Sequence, residues 1–198
     1  MFDFVGVLIK GGPVMVPLLA CSIIALTVVI ERFLFWRRIS VRDTAEEMFA
    51  LVEKGEITRA VEVGRATESP LTRVLLSGLA HRNPSASKAL EVAAQKEIPV
   101  LKKRLTILDT IITLAPLLGL LGTVTGMIGS FGIMSQSGIG QPHAVTGGVA
   151  EALIATATGL LIAILTLVPY NYFTSRVEQE MEEIEYYASR LELLLGET

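Results

Sequence analysis

Residues 110–175 read TIITLAPLLGLLGTVTGMIGSFGIMSQSGIGQPHAVTGGVAEALIATATGLLIAILTLVPYNYFTS, and Glu151 is the only charge in the run. A hydrocarbon core about 30 Å thick takes about 20 mostly apolar residues of helix. The run is about three times too long for one crossing. It is divided by Ser135-Gln136-Ser137-Gly138-Ile139-Gly140-Gln141-Pro142, a turn composition. The reading is therefore a helical hairpin, with spans at roughly Asp109 to Met134 and Val145 to Phe173. A further apolar segment, roughly Val14 to Phe35, lies between Gly12-Pro13 and Arg37-Arg38. Gly11 to Ile30 carries no charge at all.

These stretches explain the composition. The chain has 198 residues, 51% of them hydrophobic and 19% charged. Soluble domains have about 45–50% apolar and about 25% charged residues, so the excess lies in its placement. That composition excludes a disordered chain, and Cys21, the one cysteine, excludes a disulfide scaffold. The net charge of −3 and the lack of a basic face give no reason to expect nucleic acid. Leu18-Leu19-Ala20-Cys21 looks like a lipoprotein cleavage box. However, the N-terminus has Asp3 and only Lys10, and the apolar run continues to Ile30, so a retained span is expected.

Lys and Arg set the expected orientation. Arg32, Arg37, Arg38 and Arg42 follow the first span, and Lys102, Lys103 and Arg104 precede the second, while the hairpin connector has neither residue type. The expected layout is an outward segment at 1–12 resting on membrane lipid, a first span at 13–36 and a cytoplasmic helical domain at 37–106. A second span at 107–134, a periplasmic connector at 135–144, a third span at 145–173 and a cytoplasmic helix at 174–198 follow. Trp36, Tyr170, Tyr172 and Phe173 suit a headgroup-level aromatic belt. The fold class is an all-α membrane protein, with three transmembrane helices and long cytoplasmic helical extensions.

In the cytoplasmic part, Pro70, Asn83-Pro84 and Gly55 punctuate short helices. Leu90, Ala94, Leu101, Leu105 and Leu108 recur at helical spacing, predicting one long helix into the second span with a kink or local break at Pro99. Val177, Met181, Ile184, Ala188, Leu191 and Leu195 form a heptad-like stripe, opposite an acidic face of Glu178, Glu182, Glu183, Glu185 and Glu192.

No catalytic constellation stands out, and neither a metal nor another cofactor is expected; the chain does not read as an enzyme. His81 and His143 are far apart in sequence, and no glycine-rich loop precedes a basic residue. The unusual residues lie in the apolar hairpin. Gly119, Gly122, Gly126 and Gly129 are spaced by three and four, a ridge that lets helices approach closely. Thr123 and Ser130 lie near that face, and Pro116 frees a backbone carbonyl. The third span carries Glu151, Thr156, Thr158 and Gly159. A mid-membrane charge costs roughly 2.5–3.5 kcal/mol on insertion scales. Glu151 is therefore either a solvated residue near the outer boundary or a pore- or partner-facing one. At 100° per residue, Glu151 and Thr158 share a face while Thr156 lies about 140° from Glu151. One narrow stripe cannot hold all three.

Ala115-Pro116-Leu117-Leu118-Gly119-Leu120-Leu121-Gly122-Thr123-Val124-Thr125-Gly126-Met127 resembles the second-span motif of the MotA/TolQ/ExbB proton-channel family. Gly148-Val149-Ala150-Glu151-Ala152-Leu153-Ile154-Ala155-Thr156-Ala157-Thr158-Gly159-Leu160 is similar to its third-span motif. The three-span layout resembles the ExbB/TolQ branch, ExbB first. The resemblance implies a homopentamer in the bacterial inner membrane, surrounding the helices of two ExbD- or TolR-like single-span subunits. It implies a proton pathway past Thr123, Thr156 and Glu151, with the titrating aspartate on the partner. It further implies that a TonB-like or TolA-like protein carries the work to the outer membrane. Pro116, Gly119, Gly122, Gly126, Gly129, Thr158 and Gly159 are expected to pack helices and line the pore. A TolQ-like subunit serving envelope integrity and cell division, or a non-conducting membrane scaffold, are the alternatives.

Overall fold

The computed structural model describes residues 11–39, 42–67, 69–137 and 142–196. Within them the chain forms helices α1 (Met15–Ile39), α2 (Arg42–Glu53), α3 (Ile57–Arg65), α4 (Pro70–Ala80), α5 (Arg82–Leu101), α6 (Leu105–Ser137) and α7 (Pro142–Gly196). Among the described residues three helical stretches are long and apolar enough to cross a membrane: Met15–Arg37 in α1, Ala86–Ser135 through α5 and α6, and Thr146–Gly196 in α7. The described residues cluster into two compact units. One comprises residues up to Ile30 with Arg104–Asn171, and the other Glu31–Lys103 with the residues from Tyr172.

In the first unit each apolar helix buries one stripe and exposes the rest. In α1 the stripe begins with Val14 and Met15 and continues through Leu18, Cys21, Ala25 and Val28, while Val16, Ile23, Leu26 and Ile30 are exposed. In α7 it is Ala152, Ala155, Ile162, Ala163 and Thr166, while Leu153, Leu160, Leu161, Ile164, Leu165 and Val168 are exposed. In α7 the buried stripe is mostly small and the exposed residues are large, the arrangement that close helix packing in hydrocarbon favours. Lipid solvates Leu as well as a core does, so association comes from close backbone packing. Two threonines of α7 satisfy themselves locally. Thr158 donates to the Ile154 carbonyl at 2.8 Å and Thr166 to the Ile162 carbonyl at 2.7 Å.

The second unit is a helical bundle. Gly55 takes φ +77° between α2 and α3. Ser69 caps α4: its hydroxyl accepts from the Thr72 N–H at 3.1 Å, its own N–H donates to Thr72 Oγ1 at 3.2 Å, and Pro70 opens the helix. Arg73 on α4 grips Glu97 on α5 with two bonds, Nε to Oε1 at 2.9 Å and Nη2 to Oε2 at 2.6 Å. Phe49, Met48, Val74, Leu75, Leu90 and Leu191 fill the core.

The predicted continuous helix into the second apolar segment is interrupted. Pro99 sits inside α5, the helix ends at Leu101, and a turn runs to Arg104, whose φ is +66°. The break therefore falls just beyond Pro99, at a left-handed residue that is uncommon outside glycine. The tail stripe is buried at Val177, Ile184 and Leu191, with Tyr187 in place of Ala188 as the buried residue of its turn. Trp36 and Phe173, expected among headgroups, are 5% and 1% exposed, whereas Tyr172 is open. Those two rings pack against their own chain.

Candidate functional site

The α6–α7 hairpin is closed by small residues meeting across it. A methyl added at Gly119 would stand 3.0 Å from the Thr156 Cα, and one at Gly126 would stand 2.9 Å from the Gly148 carbonyl oxygen. One at Gly122 would collide with the Ala155 methyl, and one at Gly159 with the Ala115 carbonyl oxygen. Gly129 has open space around it. The contact passes instead to Ser130, which is 3% exposed and whose Oγ sits where a Gly148 side chain would be. From Gly126, four residues return the helix to within about 40° of the same face, whereas three carry it about 60° the other way. Pro116 lies within α6.

Two of the predicted polar residues are brought together. Thr156 on α7 donates its hydroxyl across the helix pair to the Gly119 carbonyl at 2.9 Å. Thr123 on α6 donates to the next carbonyl along, that of Leu120, at 2.7 Å. Both hydroxyl protons therefore end on adjacent carbonyls of one turn. What each oxygen still offers is lone pairs. Thr123 and Thr156 are both half-buried.

Glu151 is elsewhere. It sits five residues before Thr156, about 7.5 Å along the helix axis, and lies against the turn that leads into α1. A Cβ at Gly12 would collide with Glu151 Oε1. Glu151 is thus level with the N-terminal end of α1, and the two sides of α7 meet different neighbours. Gly148, Ala152, Ala155, Thr156 and Gly159 face α6, while Glu151 and Ile154 face the Gly11-Gly12 turn. Thr158 stays half-buried with its hydroxyl spent on its own helix. Residues 138–141 of the hairpin connector, residues 1–10, where an interfacial segment is expected, and the side chain of His143 lie outside the described residues.

Two groups of side chains were not legible in the sequence. In the second unit Glu46 accepts from the Tyr187 hydroxyl at 2.8 Å and from Arg190 at 3.0 Å, and Arg190 lies 4.5 Å over the Phe49 ring. The Tyr187 bond and the arginine hold the Glu46 carboxyl below its ordinary value. Burial first, and Glu46 second, push the Tyr187 hydroxyl up to about 12. Arg32 is 1% exposed, pairs bidentately with Glu31 and stands 4.2 Å over Phe35. Arg32 Nη1, Trp36 Nε1 and Arg176 Nε are buried without an acceptor among the described residues. Among the described residues no three His, Cys, Asp or Glu side chains gather as a metal site.

Known proteins resemble this chain over most of its length. It is 36% identical over 191 residues to the biopolymer transport protein ExbB-like 3 of Synechocystis sp., covering 93% of this chain and 91% of that protein. It is 39% identical over 199 residues to ExbB-like 1 of the same organism, covering 96% and 78%. The Tol-Pal system protein TolQ of Haemophilus influenzae is 39% identical over 90 residues, covering 46% of this chain and 40% of that one. The family profile matches residues 66–186, which hold α4 to α6 and most of α7 with the Thr123–Thr156 turn and Glu151. The chain belongs to the MotA/TolQ/ExbB proton channel family.

Proposed function

We propose that the chain is the proton-channel subunit of an inner-membrane motor that energises a TonB-like protein for transport at the outer membrane. Its N-terminus faces the periplasm and its second unit the cytoplasm. Five copies surround two ExbD- or TolR-like single-span helices, and the carboxyl that carries the proton belongs to the partner. The observation that carries this reading is the convergence of Thr123 and Thr156 on the adjacent carbonyls of Leu120 and Gly119. With its own proton directed to a carbonyl, each hydroxyl oxygen is an acceptor. A protonated partner carboxyl can donate to it; an ionised one cannot bind until the hydroxyl rotates. Such a site holds the neutral acid and releases the charged one, without the trap that a buried cation would make. Glu151, at the level of the α1 turn, is the relay between outer water and that carboxyl.

Support also comes from what the hairpin lacks. Gly119, Gly122, Gly126 and Gly159 use their backbone to close α6 on α7, so the large exposed residues Leu117, Leu120, Leu121, Val124 and Ile128 remain for lipid and for other subunits. The matches to TolQ proteins favour a second reading, a TolQ-like subunit working with a TolA-like protein in envelope maintenance.

The test is proton flux in vesicles holding the chain with a single-span partner. Thr156→Ala, Thr123→Val and Glu151→Ala are each expected to depress it. Unchanged flux in all three would remove the site and leave the non-conducting scaffold, in which only disruption of the Val177 to Leu195 stripe matters.

A further inference from the structure

The residues Gly11-Gly12-Pro13 lead into α1 by a turn whose shape is fixed on both sides. The Met15 N–H donates to the Gly12 carbonyl at 3.1 Å and the Val16 N–H to the Pro13 carbonyl at 3.2 Å. Gly12 has φ +72°, a conformation that side chains rarely tolerate. Its missing side chain is replaced by Glu151. A Cβ built there would meet Oε1 and come within 2.8 Å of Cδ and 3.2 Å of Cγ. The same turn touches α7 again at Ile154, whose Cγ2 would lie 3.2 Å from a Cβ on Gly11. Residues 151 and 154 are one turn apart, so the loop lies along that strip of α7. Its flanks are anchored. Val14 and Met15 are 8% and 3% exposed, and Ala152 and Ala155 beside the glutamate are 3% and 0% exposed.

We propose that Gly12 is the positioning residue for Glu151: its bare left-handed backbone forms a seat that fixes the carboxyl's rotamer and screens one side of it. The contact itself stands on the geometry. Its consequence for proton movement rests on the reading of Glu151 as the outer relay. Two separate requirements converge on one glycine, positive φ and absence of a Cβ. An ordinary helix lead-in needs only the first. A seat for Glu151 needs the second as well, and the second depends on the length of the side chain at 151.

The experiment uses the full chain with its single-span partner in vesicles. Variants are Gly12→Ala, Glu151→Asp, the double variant and Gly129→Ala as an open-space control. Three quantities are read: thermal unfolding, proton flux, and the rate at which dicyclohexylcarbodiimide modifies residue 151, located by peptide mass spectrometry. Gly12→Ala is expected to displace the carboxyl and raise modification several-fold, while Gly129→Ala leaves it unchanged. Aspartate withdraws the carboxyl by one methylene, so Glu151→Asp is expected to restore part of the melting temperature that Gly12→Ala loses. That recovery is readable even if Gly12→Ala alone folds poorly. Equal modification rates in wild type and Gly12→Ala, or a loss of melting temperature independent of residue 151, would overturn the seat. Faster modification with unchanged proton flux would keep the seat and remove Glu151 from the pathway.

Discussion

Gly159→Ala adds one methyl where the facing atoms are backbone. The new Cβ would collide with the Ala115 carbonyl oxygen and stand 3.2 Å from both the Ala115 carbonyl carbon and the Gly119 Cα. None of these atoms can move by a side-chain rotation. The helices must separate, and separation also stretches the Thr156 to Gly119 hydrogen bond, now 2.9 Å. Overpacking costs roughly 1–3 kcal/mol, and rigid neighbours place this site in the upper half of that range. Alanine gains roughly 0.5–1 kcal/mol over glycine within a helix. The net expectation is a loss of about 2 kcal/mol. Gly129→Ala has the same chemistry in open space, so it keeps only the gain. The two variants should differ by about 2.5–3 kcal/mol. At roughly 2–4 °C per kcal/mol for a chain of this size, melting temperatures should split by roughly 5–12 °C, Gly129→Ala the higher. Thermal unfolding in detergent micelles, followed by Trp36 fluorescence, reads this directly. Equal melting temperatures, or a larger loss in Gly129→Ala, would show that the α6–α7 interface is not the one described.

Other substitutions test the second unit. Ser69→Ala removes the α4 cap and should cost about 1 kcal/mol by chemical denaturation, with Ser69→Asp retaining most of the stability. Arg73→Ala deprives the largely buried Glu97 of its bidentate partner; breaking a fully buried pair costs about 3–5 kcal/mol, and the half-exposed arginine reduces the expectation to about 1–2 kcal/mol. The Glu46–Tyr187 pair predicts opposite pH limits. The lowered Glu46 contributes stability that is present above its ordinary 4.5 and lost as pH falls through its lowered value. The raised Tyr187 hydroxyl contributes stability that is present below its ordinary 10.0 and lost as pH rises toward about 12. Melting curves across pH should therefore narrow toward those of Tyr187→Phe at both extremes; a constant difference would contradict the pairing.

The apolar architecture was readable because hydrocarbon imposes a length and a charge rule on α1, α6 and α7. The glycine ridge was readable in kind and misjudged in one place. Spacing by three and four admits Gly129, but from Gly126 the face continues through residue 130, and that residue is a serine. The break before α6 was signalled by Pro99, but its position was not, since Lys102, Lys103 and Arg104 are ordinary helix residues and a left-handed Arg104 has no compositional signal. Arg32 reads as a flanking charge; its pairing with Glu31 and its stacking on Phe35 are local to α1, but its burial depends on the packing around it, which no local pattern encodes. The Thr123–Thr156 convergence needed the hairpin's register, which follows from which glycine meets which alanine. The Glu151 contact needed the conformation of Gly12, and no periodicity joins residues 12 and 151.

The hydroxyl at position 156 carries the central claim. Proton flux into vesicles, with the single-span partner present, should compare Thr156→Ser with Thr156→Val. Serine keeps a hydroxyl that can donate to the Gly119 carbonyl and accept from a protonated carboxyl, and it should conduct near the wild-type rate. Valine keeps the shape and removes one hydrogen bond; at about 1–1.5 kcal/mol this predicts a fall of about tenfold. Valine conducting as well as wild type would contradict the account.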